Sequence, residues 1–125
     1  MVQVPIINIH GVLLVTIQDE LLDDSVSELQ QHIGEQVVEQ HARGVLIDIS
    51  VLDVVDSFLA RTLHDIAATT SLLAAQTVVV GMRPAVAITL VELGLVLPGL
   101  RTALSVEDGL ELLGRGNGTV RTGPR

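Results

Sequence analysis

Cysteine, lysine, tryptophan and tyrosine are all absent from the 125 residues, and phenylalanine occurs once, as Phe58. Without cysteine the chain has no disulfide, no thiolate nucleophile and no Cys-ligated zinc. Phe58 alone offers no platform on which successive bases could stack, and sites for sugars or flat rings usually borrow aromatic faces that are missing here. Hydrophobic residues make up 48% of the chain and mean hydropathy is +0.55. Polar residues nevertheless interrupt every stretch before the ~18 to 20 apolar residues of a membrane span are reached. The opening MVQVPIINIH has neither a basic leader region nor a small-residue cleavage site, so the expected setting is the cytoplasm, off the membrane.

What charge there is runs mostly one way. The formal net charge is −8 and all seven basic residues are arginine; before Arg115 the chain carries 15 acids against 4 arginines, or −11. A phosphate backbone would be repelled by such a surface, which excludes nucleic acid as a partner. A chain of this length is one ordinary domain with a single core.

Val4 to Ile9 and Val12 to Ile17 read as two strands joined by a tight turn at His10-Gly11. The second is apolar on nearly every residue, as in a central strand buried on both faces. Asp23-Asp24-Ser25 offers a helix cap ahead of Val26, Leu29, Ile33 and Val37, whose spacing is that of an amphipathic helix. After Gly44, Val45 to Ile49 is a third strand. Leu59, Leu63, Ile66 and Leu73 keep helical phase, with Ala67, Ala68 and Ala74 as good helix formers.

Thr77 to Met82 is a fourth strand, and Pro84 suits the first turn of a third helix that carries Val86, Leu90 and Leu93 and closes at Gly94. Leu100 to Leu104 is a candidate short last strand. Ser105 and Asp108 have capping-box spacing ahead of a short fourth helix with Leu110, Leu112 and Leu113. The order β-β-α-β-α-β-α-(β)-α gives an α/β (α+β) class, with a mixed, mostly parallel sheet of four to five strands and about four helices. Residues 1–113 form the domain and 114–125, Gly-rich and nearly without apolar residues, a flexible tail.

In such sheets the working surface lies at the carboxyl ends of the strands, which singles out Gln18 to Asp24, Ser50 to Ser57 and Met82 to Pro84. Asp19, Glu20, Asp23 and Asp24 follow the second strand, and Asp48, Asp53 and Asp56 lie in or after the third. They lack the spacing of a calcium loop and read as solvated loop acids or helix N-terminal charges. Ser57 and His64 would share a helix face, but about 10 Å of axial rise separates them, too far for a nucleophile and its base. The local V-D-S-F-L is also not a nucleophile elbow. Gly81-Met82-Arg83-Pro84 lacks the glycines and lysine of a phosphate cradle. On residues alone, Ser57 reads first as a helix cap.

The combination of LLVTIQDEL, GVLIDIS with VVDSFLARTL, and RPAVAITLVELG resembles the STAS domain family, and within it the RsbS-type stressosome antagonists, over about residues 4 to 113. The resemblance implies a non-enzymatic signalling module without cofactor or metal, whose Ser57 is phosphorylated by an RsbT-type kinase that it otherwise sequesters. It also implies a phosphatase that resets the site and assembly with RsbR-type STAS sensor proteins, with a homodimer as a further option. In conventional anti-sigma factor antagonists the motif reads D-S-[ST]-G, whereas this chain has Asp56-Ser57-Phe58-Leu59, a departure that favours the stressosome branch. The partner is expected to meet Ser57 together with Asp56, Phe58, Asp53, Asp19 and Glu20; a lone Phe is more often a core residue, but Leu59 keeps the core phase, which leaves Phe58 open as an exposed anchor. A strand edge near the N-terminus and the stretch Val91 to Leu100 are candidate subunit contacts. The alternatives are a conventional anti-sigma factor antagonist, or a ligand- or nucleotide-binding STAS-like module in which Ser57 only caps a helix.

Overall fold

The computed structural model describes residues 4–18, 23–52, 57–92 and 100–114. Strand β1 (Ile6–Ile9) turns back through His10 and Gly11, both with positive φ (52° and 85°), into β2 (Val12–Thr16). Two consecutive left-handed residues make the kind of two-residue hairpin whose twist matches its strands. Asn8 Oδ1 accepts the Gly11 N–H at 3.0 Å. The chain continues through α1 (Asp23–Gln40), β3 (Gly44–Asp48), α2 (Ser57–Leu72), β4 (Gln76–Val80), α3 (Pro84–Glu92), β5 (Arg101–Ala103) and α4 (Val106–Leu112). The sheet order is β1-β2-β3-β4-β5, antiparallel between β1 and β2 and parallel thereafter.

Both faces of the sheet are covered, unequally. Leu13, Val15, Ile17, Val45, Ile47 and Val79 point into the larger core, where they meet Leu29, Ile33 and Val37 of α1, Leu63 and Ile66 of α2, and Val86 and Leu90 of α3. A fully buried Val, Leu or Ile contributes roughly 1.5–3 kcal/mol, against about 0.2–0.5 for an exposed helical pair such as Gln31 with Glu35. Packing therefore decides where α1 lies. The opposite face carries Val12, Leu46, Val78 and Val80 under α4, with Leu113 closing the cluster. Ser105 caps α4, its side chain accepting the Asp108 N–H at 3.1 Å. At the other end of α4, Arg43 Nε donates to Leu113 O and Arg101 Nη1 to Leu112 O, both at 3.4 Å, while Arg43 Nη1 also bonds His10 O. Two guanidiniums thus satisfy carbonyls that a helix end leaves open.

Three sequence expectations shift. Asp23-Asp24-Ser25 forms the first turn of α1 instead of preceding it. Leu73 and Ala74 lie beyond α2, where Ala74 takes φ 65° and the Ala75 N–H returns to Thr70 O at 2.9 Å, a left-handed helix stop. Leu112 is partly exposed, so Leu113 takes the buried place at the end of α4. Leu93, Gly94 and residues 115–125 lie outside the described residues.

Candidate functional site

The carboxyl ends of the neighbouring strands β3 and β4 come together at one rim of the sheet, and α2 is the helix that follows β3 in the chain. Asp48 closes β3, and its Oδ1 accepts the Ser50 N–H at 2.9 Å. An aspartate bonding the backbone two residues on turns the chain, and the Leu52 N–H follows by bonding Ile49 O at 3.0 Å. From the next strand Gly81, at φ +77°, passes so close that a Cβ there would stand 2.7 Å from Ser50 Cβ and 3.1 Å from Asp48 Oδ1. Arg83 Nε donates to Ser50 O at 2.9 Å. The exit from β3 is thus clamped to the β4–α3 junction.

The chain then enters α2 with Ser57 as its first helical residue. Asp56 lies outside the described residues together with Asp53, Asp19 and Glu20. The site expected from sequence is therefore described at Ser57 and Phe58. Both are exposed, Phe58 at 37%, while Leu59, Ala60 and Leu63 turn inward to the core. No hydrogen bond engages the Ser57 hydroxyl among the described residues. The Thr62 hydroxyl bonds Phe58 O at 2.9 Å and ties down the first turn. His64 turns to Asp65, with 3.4 Å between Nδ1 and Oδ1.

Sequence reasoning singled out Ser50 to Ser57 and Met82 to Pro84 as strand exits but missed how they meet, and it did not single out Arg61. Arg83 and Gly81 meet Ser50 only because β3 and β4 are neighbours, a relation that no local pattern encodes. Arg61, exposed four residues after Ser57 on the same helix, was legible from spacing alone.

A family profile described as the STAS domain matches residues 3–109. The chain is a STAS-domain protein. A serine-to-glutamate variant of RsbS from Moorella thermoacetica is 39% identical, covering 91% of this STAS chain and 97% of its own, with a TM-score of 0.77. A chain from a structure of the stressosome, described as a signal integration and transduction hub, is 40% identical over 89% of this chain and 96% of its own, also at TM-score 0.77. The anti-sigma factor antagonist SpoIIAA in its unphosphorylated form shares the fold at 15% identity over 90% of this chain and 97% of its own, with a TM-score of 0.67. An uncharacterised Bacillus subtilis protein, YezB, is 32% identical over 77 residues, 62% of this chain and 79% of its own. The single STAS domain, with a five-stranded mixed sheet and four helices among the described residues, is the architecture expected from sequence. No helix among the described residues is long and apolar enough to cross a membrane.

Proposed function

We propose that this STAS domain is a non-catalytic signalling antagonist of the stressosome type, which captures an RsbT-type serine kinase and releases it once Ser57 is phosphorylated. The observation that carries the reading is the placement of Ser57, a hydroxyl exposed at the start of α2 beside the exposed ring of Phe58. The kinship supports it, since a stressosome chain and an RsbS are about 40% identical over nearly the whole length. That RsbS carries a serine-to-glutamate replacement, which puts a carboxylate where a hydroxyl stood. Likeness to SpoIIAA extends to the fold alone, so the stressosome reading is preferred to a conventional anti-sigma antagonist.

In the proposed step the γ-phosphoryl group of ATP passes to Ser57 Oγ, the bond to ADP breaks, and the hydroxyl proton leaves to the kinase's base. The product carries about −1.5 to −2 added charges, in sequence beside Asp53 and Asp56 and, in the expected site, near Asp19 and Glu20. Like-charge crowding then favours departure of a docked partner. A phosphatase resets the site, and RsbR-type STAS proteins share the cytoplasmic assembly.

The test is intact mass and peptide mapping of wild type and Ser57→Ala after incubation with ATP, magnesium and the kinase. One phosphate on Ser57, absent from Ser57→Ala, is the expected result. An unmodified chain, with the kinase active on another substrate, returns Ser57 to a structural role.

A further inference from the structure

We infer that Arg61 holds the phosphate of phosphorylated Ser57, its guanidinium folding back over the first turn of α2 to pair with the phosphate oxygens. The inference rests on the reading of Ser57 as a phosphorylation site and names the residue that receives the new charge.

Ser57 and Arg61 are both exposed on α2, whereas Leu59, Ala60, Thr62, Leu63, Ile66 and Ala67 are buried and define its inner face. Four residues along a helix amount to about 6 Å of rise and just over one turn, which brings the two Cβ atoms to about 5–6 Å. Helical side chains lean toward the N-terminus of their helix, so Arg61 covers the turn that Ser57 opens. An acid placed four residues before a base is also the favourable order for such a pair. Arginine adds a planar fork that takes two phosphate oxygens at once.

The guanidinium is available. Arg61 makes no hydrogen bond or ion pair among the described residues. Its neighbour one turn onward, Asp65, stands in the less favourable order, base before acid, and is engaged by His64 instead. Across the edge of the sheet, Arg83 is committed to Ser50 O. A phosphate of nearly two charges outbids a single carboxylate, so phosphorylation draws Arg61 toward Ser57. Any kinase carboxylate that had used Arg61 while Ser57 was unmodified loses that attraction as the phosphate arrives. Release then comes from a withdrawn cation as well as from like-charge repulsion.

The experiment uses the full chain with phosphoserine encoded genetically at position 57, followed by phosphorus NMR across pH at low ionic strength. The second phosphate ionisation, ordinarily near pH 6, is expected to lie about 0.2–0.4 unit lower in wild type than in Arg61→Gln. Arg61→Lys should recover part of the difference, and high salt should erase it. Arg61 is exposed, so both variants should melt like wild type, and superimposable titrations of wild type and Arg61→Gln would overturn the pair. No kinase takes part, so this failure is distinct from the failure of a kinase to modify Ser57, which would overturn the reading beneath it.

Discussion

The hydroxyls of Thr70 on α2 and Thr77 on β4 lie 2.6 Å apart in a fully buried seam, and Thr70 Oγ1 also lies 3.1 Å from Ala67 O. A hydroxyl has one proton to give. Thr70 spends its proton on the carbonyl, so Thr77 is the donor to Thr70. This short chain of bonds ties the distal half of α2 to β4.

Thr70→Val strands the Thr77 hydroxyl and should cost about 1–3 kcal/mol. Thr77→Val leaves Thr70 bonded to Ala67 and should cost less, while the double variant, apolar on both sides and of unchanged shape, should recover most of the loss. Urea unfolding midpoints of the four proteins measure this cycle. A larger loss for Thr77→Val than for Thr70→Val would reverse the assigned proton order.

Gly81→Ala combines a left-handed backbone with a Cβ placed 2.7 Å from Ser50 Cβ. The conformation alone costs an L-residue about 1–2 kcal/mol, and crowding of this kind adds about 1–3. The expected outcome is a chain that folds with stability lower by about 2–5 kcal/mol, with amide shifts concentrated at Asp48 to Leu52 and Arg83. Chemical denaturation and two-dimensional NMR check it, and a loss under about 1 kcal/mol would show that Ser50 yields freely.

Phe58→Ala removes a ring that is 37% exposed, so folding stability should fall by about 1–2 kcal/mol, less than for a fully buried aromatic. Aromatic anchors at interfaces behave otherwise. Kinase binding should weaken by about tenfold or more, as read by calorimetry with the unphosphorylated chain. Unchanged affinity would remove Phe58 from the docking surface.

Ser57→Glu installs about one negative charge where phosphoserine carries about −1.5 to −2. It should therefore loosen the kinase less than phosphorylation does, whereas Ser57→Ala should hold the kinase as the unmodified chain does. The same calorimetric titration, repeated in high salt, should compress the difference between Ser57→Glu and Ser57→Ala, because exposed charges are screened within about 10 Å at 0.1 M salt and less above it.

The sequence was most legible where a periodic pattern and its packing agree. Leu29, Ile33 and Val37 face the core as their spacing requires, Pro84 opens α3, and Ser105 caps α4. It misled where tertiary structure overrides local preference: alanine favours helix, yet Ala74 adopts a left-handed stop because the chain must turn into β4. Ser57 was found by family motif and its exposure then seen in the fold. The clamp of Arg83 and Gly81 on Ser50 arises from residues more than 30 positions apart in sequence, and only the pairing of β3 with β4 discloses it.

The arginine-capped end of α4 has a practical use. Arg43, Leu113 and His10 meet at the amino rim of the parallel strands, whereas Ser57 follows the carboxyl rim. Five residues of strand at ~3.3 Å each put roughly 15 Å between those rims. A dye or affinity handle joined after Gly114 therefore starts on the far side of the domain from Ser57. Assembly and phosphorylation could be watched in one preparation, with the reporter outside the contact it monitors.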